Sequence, residues 1–287
     1  MSERRFGFVQ WEFAGRLGPD PGRYPVRRFA GDDVRQIVVI GGYGAPARVP
    51  RVRRSRRPKP ATASPPASVD VTRATVIDAV PMEGASAAEA WLERAVGSGS
   101  ADVLAGALAV LNRAVAGHRV AAADPFVADA DPARALATRI GYGRGDEVAE
   151  GEWEAARALP APEARTSRVL VPQQRLAALL SGRDVALACE ELALRARLDL
   201  DAGREREGVM QAHVALETAV AELESWRGRG DMAERIDELT ARRADLAAAA
   251  NAAALGGLEP AGVETVREVL GRLEAALRAR AARESTG

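Results

Sequence analysis

The spacing of apolar residues after Pro172 is the feature that most constrains the fold of this chain. Large apolar residues recur there at intervals of three and four, which places them on one face of an α-helix. One stripe consists of Met232, Ile236, Leu239, Leu246 and Ala250, and the next, after Pro260, consists of Val263, Val266, Leu270, Leu273 and Leu277. Two glycines, at 256 and 257, separate the stripes. The pattern predicts an antiparallel, coiled-coil-like helical hairpin.

Another helical hairpin is predicted immediately before this one. Two helical patterns, Asp184 to Asp201 and Arg204 to Trp226, lie on either side of Gly203. Antiparallel helices joined by so short a turn pack against each other. Residues 171–287 are therefore predicted to form a C-terminal helical bundle.

The N-terminal segment has the periodicity of a β-strand. Residues from Phe6 to Phe13 alternate between two unequal sets, which is typical of an extended strand with two different faces. Further strands are predicted at Tyr24 to Phe29, Val34 to Ile40 and Val69 to Val80. Because turn-forming residues separate the first three strands, we predict an antiparallel meander.

Helical spacing returns between these two parts. A long helix is predicted from about Ser100 to Ala123, and Asp131 followed by Pro132 predicts a shorter helix that ends near Gly141. A glycine-rich turn then leads into a predicted helix that contains Trp153. The expected fold is α+β and predominantly helical. Its three parts are a small N-terminal antiparallel β-sheet module (1–81) with a mobile Pro/Arg-rich loop (45–68), a central helical region (82–170) and the C-terminal bundle with its coiled-coil-like hairpin (171–287).

The charge of the chain is strongly polarised. Its formal net charge is zero, but residues 1–60 carry +9 and the remainder carries −9. Seven cations fall in a stretch without carboxylates: Arg48, Arg51, Arg53, Arg54, Arg56, Arg57 and Lys59. Such a tract can hold a polyanion, because each neutralised phosphate releases counterions. A solvated loop that binds nothing is the alternative.

Aromatic residues are concentrated near the N-terminus. Seven of the twelve lie within the first 43 positions, so the sheet could offer stacking platforms for bases. However, strand alternation places Trp11 and Phe13 on the face opposite Phe6 and Phe8, and a small sheet needs large side chains for its core. We therefore predict core positions for most of these residues.

Groups suited to a reaction centre are sparse. His118 and His213 lie on apolar helical stripes, and Asp124 or Glu217 follows each at a distance that allows it to orient the imidazole. The segment 141–147 superficially resembles a phosphate-binding loop, with Arg144 as its candidate polar contact, but it lacks the Gly-Lys-Ser/Thr ending. His118, Asp124 and Arg144 are the pocket candidates. No catalytic residue, metal site or cofactor is predicted.

The cysteine content and the apolar stretches of the sequence bear on the cellular compartment. Cys189 is the one cysteine, which excludes an internal disulfide and fits a reducing compartment. No stretch approaches about eighteen uninterrupted apolar residues, and the first residues lack the apolar core of a secretory signal. We predict a cytoplasmic protein without a membrane span.

The favoured hypothesis is a non-enzymatic intracellular interaction or scaffold protein. It assembles through its C-terminal helices with a protein partner or with itself, and recruitment of a polyanion through the Arg-rich loop is a further hypothesis. Two alternatives stay open. One is a nucleic-acid-binding protein that uses the N-terminal sheet and the Arg tract. The other is an enzyme with a site between the central helices, built from His118, Asp124 or the segment 141–147.

Overall fold

The computed structural model describes residues 4–27, 31–43, 70–160 and 172–284. It confirms the predicted α+β class, with an antiparallel sheet in the N-terminal half and a helical C-terminal region. The chain divides into two compact units, residues 1–164 and 165–287, which we call the N-terminal and C-terminal units. The sheet and the central helices therefore belong to the same unit.

Seven strands form the sheet among the described residues of the N-terminal unit. They are β1 (Arg4–Ala14), β2 (Gly22–Val26), β3 (Gln36–Tyr43), β4 (Val71–Asp78), β5 (Met82–Glu83), β6 (Ala135–Gly143) and β7 (Ala155–Leu159). Their order is β2-β3-β4-β1-β6-β7, and β5 pairs with the start of β1. These strand pairs are antiparallel.

Strand β1 lies in the middle of the sheet, so the predicted meander is wrong for this strand. It pairs with β4 on one side and β6 on the other, whereas β2 pairs with β3. Phe8 and Trp11 are both buried although they lie on opposite faces of β1, and a strand that is apolar on both faces gains most from a central position. Strand β2 contains Pro25, which cannot donate to a ladder, and it occupies an edge.

Two helices pack on one face of the sheet. They are α1 (Ala85–Val96) and α2 (Ser100–Ala121), and the bounds of α2 agree with the sequence prediction. Leu92 of α1 and Leu111 of α2 share a core with Trp11. By length and composition alone, α2 is the one helix in the described part of the chain that could cross a membrane. Only Leu111, Asn112 and Val115 of this helix are fully buried.

The segment after α2 differs from the prediction of two short helices. Asp131 does cap a helical turn, since its carboxylate accepts a hydrogen bond from the backbone N–H of Ala133 at 2.9 Å, but this 3₁₀ turn spans only Pro132–Arg134. Strand β6 follows at once. Trp153 is not helical either; it lies in a loop before β7. Pairing of β6 with β1 buries Thr138 and Ile140, and this tertiary gain outweighs the local helix-start signal.

The described residues of the C-terminal unit form six helices. They are α3 (Pro172–Leu180), α4 (Ala188–Asp201), α5 (Glu205–Glu222), α6 (Met232–Ala241), α7 (Arg243–Leu255) and α8 (Pro260–Glu284). Helices α4 and α5 form the predicted hairpin around Gly203. The apolar stripe that begins at Met232 lies on two helices, because the helix is interrupted at Arg242.

The two apolar stripes that predicted a terminal hairpin face the interior of the C-terminal unit. Their ten residues are buried, and they share one core with Leu200 of α4 and Leu216 of α5. Each stripe is therefore covered by other helices of the same chain. An assembly of this protein through its C-terminal helices would have to use other side chains.

A buried ion pair lies within the helical unit. Arg280 of α8 donates to Asp184 with a distance of 2.7 Å between Nη2 and Oδ1, and the two side chains are only 1% and 4% exposed. Arg175 of α3 also donates to Asp184, and the Arg280 guanidinium lies 4.8 Å from the ring centroid of Trp226. Burial by itself raises the pKa of Asp184. Hydrogen bonds from the Val185 N–H and Arg175, together with the charge of Arg280, outweigh it and lower that pKa below its ordinary value.

The first turn of α4 is capped by a carboxylate from another helix. Glu222, at the end of α5, accepts hydrogen bonds from the backbone N–H groups of Ala188 and Cys189 at 3.1 and 3.0 Å. Burial raises the pKa of Glu222, but these bonds and the Cys189 thiol lower it further than burial raises it. Burial and the Glu222 carboxylate both raise the pKa of Cys189, which is fully buried. This thiol is therefore suited to packing and not to nucleophilic chemistry.

Candidate functional site

Three aromatic residues of the sheet are fully buried, in agreement with the prediction of core positions for most of them, whereas Tyr43 of β3 is 43% exposed. Trp11 and Phe13 are buried on the face that α1 and α2 cover. Phe8 is buried on the other face, where its ring lies 5.7 Å from that of Trp153. These three rings are therefore not exposed for stacking on bases. Phe29 lies outside the described residues.

The face of the sheet opposite the helices carries an ion cluster. One oxygen of Glu12 accepts hydrogen bonds from Arg73 of β4 at 3.2 Å and from Arg139 of β6 at 2.9 Å. The guanidinium of Arg73 also lies 3.9 Å from the ring centroid of Tyr43. Because one carboxylate bridges two cations from neighbouring strands, this cluster ties β1 to both partners.

A cleft runs along the C-terminal half of α2. Its other walls are the loop 15–21 after β1, the edge strand β2, and the loop 122–134 that returns the chain to β6. The cleft contains two adjoining cavities, and His118 lines both of them. This cleft is the candidate functional site.

The larger cavity brings together two of the three predicted pocket residues. It has a volume of about 620 Å³, and His118 and Asp124 both line it. Its other charged residues are Arg16, Asp20, Asp129, Asp131 and Arg134. Asp124 accepts a hydrogen bond from the Phe126 N–H at 2.9 Å, and among the described contacts it makes none to His118. Asp124 therefore shapes the turn that carries Phe126 at the rim of the cavity.

The smaller cavity is a groove between α2 and β2, which we call the β2–α2 groove. Its volume is about 430 Å³. The lining residues are Pro19, Tyr24, Pro25, Val26, Arg27, Arg113, Ala114, Gly117, His118 and Ala121. Because the α2 residues Ala114, Gly117 and Ala121 are small, they leave space between the helix and β2, and the lining combines apolar residues with arginines.

Specific contacts hold the loops of the cleft in place. The side-chain amide of Asn112 exchanges two hydrogen bonds with the backbone of Ala130, at 3.2 and 2.7 Å. Gly18 has a φ of +119°, and a Cβ at this position would lie 3.0 Å from the ring of His118. Only glycine adopts this backbone readily, and its lack of a side chain lets the loop approach the imidazole. The phenol of Tyr24 donates to the Asp20 carbonyl at 2.6 Å.

The third predicted pocket residue, Arg144, does not line either cavity of this cleft. It donates to Glu154 with a distance of 2.7 Å from Nε to Oε1, and Arg5 donates to the other oxygen of the same carboxylate. The hydrogen bond from Arg144, followed by that from Arg5, lowers the pKa of Glu154. The segment 141–147 thus contributes to an ion cluster beyond β6, and the enzyme hypothesis loses one of its three elements.

The second histidine is not oriented by the carboxylate four residues later. Glu217 instead forms a hydrogen-bonded ion pair with Arg243 of α7, with 2.9 Å between Nε and Oε1. The hydrogen bond from Arg243 lowers the pKa of Glu217 despite some desolvation. Nδ1 of His213 is buried without a hydrogen-bond partner among the described residues. The Glu217–Arg243 ion pair therefore connects α5 with α7, and Glu217 does not orient His213.

Several residues of the cleft were missed by sequence reasoning. The sequence indicates Tyr24 only as a stacking or core residue of the sheet, and it does not single out Arg27, Arg113 or Gly117. Gly117 could have been noticed in the sequence, because a glycine inside a long helix lowers the stability of that helix. The two arginines gave no signal, since surface arginines occur throughout the chain.

The Arg-rich tract from Arg48 to Lys59 lies outside the described residues, so its polyanion-binding role stays a prediction. Within the described ranges, no group of three or more His, Cys, Asp or Glu side chains is arranged to hold a metal ion. Comparison with protein-family models, with curated proteins and with solved structures finds no match to this chain. The functional argument therefore depends on the geometry of the chain itself.

Proposed function

We propose that the protein is a non-enzymatic interaction or scaffold protein that assembles through the outward side of helices α4 and α5. The observation that carries this proposal is a pair of exposed apolar side chains on each helix, four residues apart. On α4 they are Leu194 and Leu198, which are 66% and 53% exposed; on α5 they are Met210 and Val214, at 39% and 50%.

This spacing favours a helical partner surface. Residues four apart project from the same side of a helix, so each pair forms a short apolar ridge. Complete burial of one such side chain stabilises a complex by about 1.5–3 kcal/mol. The stripes of α6, α7 and α8 are not offered for assembly in this proposal, because they pack inside the unit.

We propose that the partner of this surface is a second copy of the chain. Sedimentation equilibrium of the full-length wild type and of the double variant Leu194→Glu/Leu198→Glu tests this self-association. We expect the wild type to self-associate and the variant to dissociate at least about 100-fold more readily, since two buried contacts would be replaced by charges. Circular dichroism should show unchanged helix content, because both side chains are exposed.

A matched control uses charged residues of the same helix. Glu191 and Arg195 form an exposed ion pair four residues apart at 2.9 Å, so Glu191→Arg/Arg195→Glu changes the surface of α4 without adding or removing apolar area. This variant should self-associate like the wild type. A wild-type chain that stays monomeric at high concentration contradicts self-association. If the Leu194→Glu/Leu198→Glu variant also retains every protein partner recovered with the wild type, the proposed surface is wrong altogether.

A further inference from the structure

Helix α3 (Pro172–Leu180) contributes little to the core of its own unit. Each of its nine residues is at least partly exposed, whereas the described core of the C-terminal unit includes buried side chains from α4, α5, α6, α7 and α8. A helix shorter than about 12–15 residues is marginal in water by itself, so a helix of this length needs contacts with the rest of the protein. Helix α3 is therefore held by contacts outside this core.

One arginine attaches α3 to the rest of the unit. Arg175 donates to Glu190 of α4 with 2.6 Å between Nη2 and Oε1, and to Asp184 with 3.2 Å between Nε and Oδ2. Both carboxylates are mostly buried, and both also pair with Arg280 of α8. The side of α3 that carries Arg175 therefore faces the unit.

The outer side of α3 is apolar. Leu176 and Leu180 are 47% and 80% exposed, and they are four residues apart, so they form a short ridge that we call the α3 ridge. At 3.6 residues per turn, the two leucines project roughly 100–140° away from Arg175. The α3 ridge has the same spacing as the exposed apolar pairs on α4 and α5.

The exposed apolar pairs on α4 and α5 account for only part of a stable interface. Such an interface takes about 800 Å² and roughly 20–30 residues from each partner. The α4–α5 surface consists of four apolar side chains that are already partly buried: Leu194, Leu198, Met210 and Val214. A dimer that uses this surface must therefore include further area, and in a two-fold dimer each copy supplies the same residues.

We propose that the α3 ridge of one copy docks onto the α4–α5 surface of a second copy, and that the second copy makes the same contact in return. The α3 ridge lies between the apolar pair of α4 and that of α5, as helix ridges pack into grooves. Arg175 keeps α3 on its own unit while the ridge contacts the partner. The two equivalent contacts close a two-fold dimer. This inference rests on the proposed self-association through α4 and α5.

Sedimentation equilibrium of the full chain tests the role of α3. The variant Leu176→Glu/Leu180→Glu should self-associate about 10-fold more weakly than the wild type, or weaker still, because docking would bury unpaired charges. The matched control is Leu255→Glu, which makes the same change at an exposed leucine at the end of α7, outside both surfaces. The control should self-associate like the wild type.

Mixing two variants tests whether α3 of one copy contacts α4 of the other. Leu194→Arg/Leu198→Arg should self-associate weakly by itself, but an equimolar mixture with Leu176→Glu/Leu180→Glu should form dimers again. In the mixed dimer, one contact pairs the glutamates with the arginines, and the other contact has the wild-type residues on both sides. Direct contact of α4 with α4 predicts no recovery, because the arginines would then lie against leucines. Recovery also shows that both variants are folded.

The results distinguish the role of α3 from the proposed function. If Leu194→Glu/Leu198→Glu dissociates but Leu176→Glu/Leu180→Glu associates like the wild type, self-association through α4 and α5 is supported and the role of α3 is wrong. A mixture that stays dissociated also overturns the role of α3, as does an equal loss of association in the Leu255→Glu control. A wild-type chain that is monomeric at high concentration overturns both proposals.

Discussion

The two units of this chain differ in how their helices use apolar residues. In the C-terminal unit the apolar stripes of α6, α7 and α8 are buried together with α4 and α5 in one core. In the N-terminal unit α2 is equally apolar, yet only three of its 22 residues are fully buried. Apolar periodicity therefore identifies a helix but not the surface that packs against it. The apolar helices of the C-terminal unit form a closed core, whereas α2 of the N-terminal unit lies beside a cleft and is largely exposed.

The ion pairs of the chain also differ in how far they are removed from solvent. Arg280 and Asp184 are removed from solvent in the helical unit, whereas Arg144 in the N-terminal unit is 55% exposed where it meets Glu154. Buried charges must keep their partners, because water cannot replace them. Exposed pairs contribute about 0–1 kcal/mol. The same chemistry therefore has different consequences in buried and in exposed pairs.

The largest loss of stability is expected when the buried ion pair is broken, and its comparison with an exposed pair tests the role of burial. Arg280→Ala removes the closer of the two cations that pair with buried Asp184, and should lower the free energy of unfolding by about 3 kcal/mol in urea denaturation. Arg195→Ala removes only an exposed pair on α4 and should cost less than about 0.5 kcal/mol. Similar losses in the two variants would show that burial of Arg280 has no special role.

The next effect concerns the close approach of β7 to β6 in the N-terminal unit. A Cβ at Gly141 would overlap the Ala155 carbonyl and the ring of Phe8, so Gly141→Ala should destabilise the protein by about 1–3 kcal/mol. Gly41 on β3 faces open space, and Gly41→Ala serves as the matched control. Chemical denaturation should show a lower midpoint for the first variant only; the reverse order would contradict the position of β7.

The acid response of the C-terminal unit is the third prediction. The folded state lowers the pKa of Asp184 and Glu222, so both groups stabilise the fold above their unfolded pKa of about 4. That contribution is lost as the pH falls through the lowered folded values. Urea midpoints measured from pH 7 down to pH 3 should therefore decrease toward acid.

The variant Glu222→Gln separates this effect from general acid denaturation. Its amide oxygen can still accept one of the two backbone N–H bonds at the start of α4, its NH2 group cannot accept the other, and the side chain does not titrate. The variant should be less stable than the wild type at pH 7 and should lose less stability toward pH 3. Parallel pH profiles for the two proteins would exclude Glu222 as a source of the acid response.

The smallest expected effect is in the loop of the cleft. Ala123 has a φ of +50°, which costs a non-glycine residue about 1–2 kcal/mol, and glycine loses part of this advantage through its greater freedom when unfolded. Ala123→Gly should therefore stabilise the protein by about 0.5 kcal/mol in thermal unfolding. Ala122 has a right-handed helical conformation, and Ala122→Gly should not stabilise it.

Part of the N-terminal unit could have been predicted better from the sequence. Thr138, Ile140 and Tyr142 alternate with other residues in a strand-like pattern, and all three are buried in β6. The helix-start signal of Asp131 and Pro132 obscured this pattern, although the turn that it begins is only three residues long. In the cleft, His118 and Asp124 were identified as pocket candidates, whereas Arg144 proved to lie elsewhere.

Features that depend on neighbouring residues along the chain can be predicted from the sequence alone. It predicted the extent of α2, the two faces of β1, the α4–α5 hairpin at Gly203 and the start of α8 at Pro260. These follow from periodicity and turn chemistry, which act over a few residues. Local interactions suffice to specify them.

Contacts between surfaces that are far apart in the sequence become evident only in the folded structure. It placed β1 between β4 and β6, assigned the stripes of α6, α7 and α8 to an internal core, and brought β2 beside α2 to form the groove. Each of these outcomes depends on competition among apolar surfaces far apart in the chain. The hydrophobic effect is non-directional, so a local apolar pattern does not specify which other surface will pack against it.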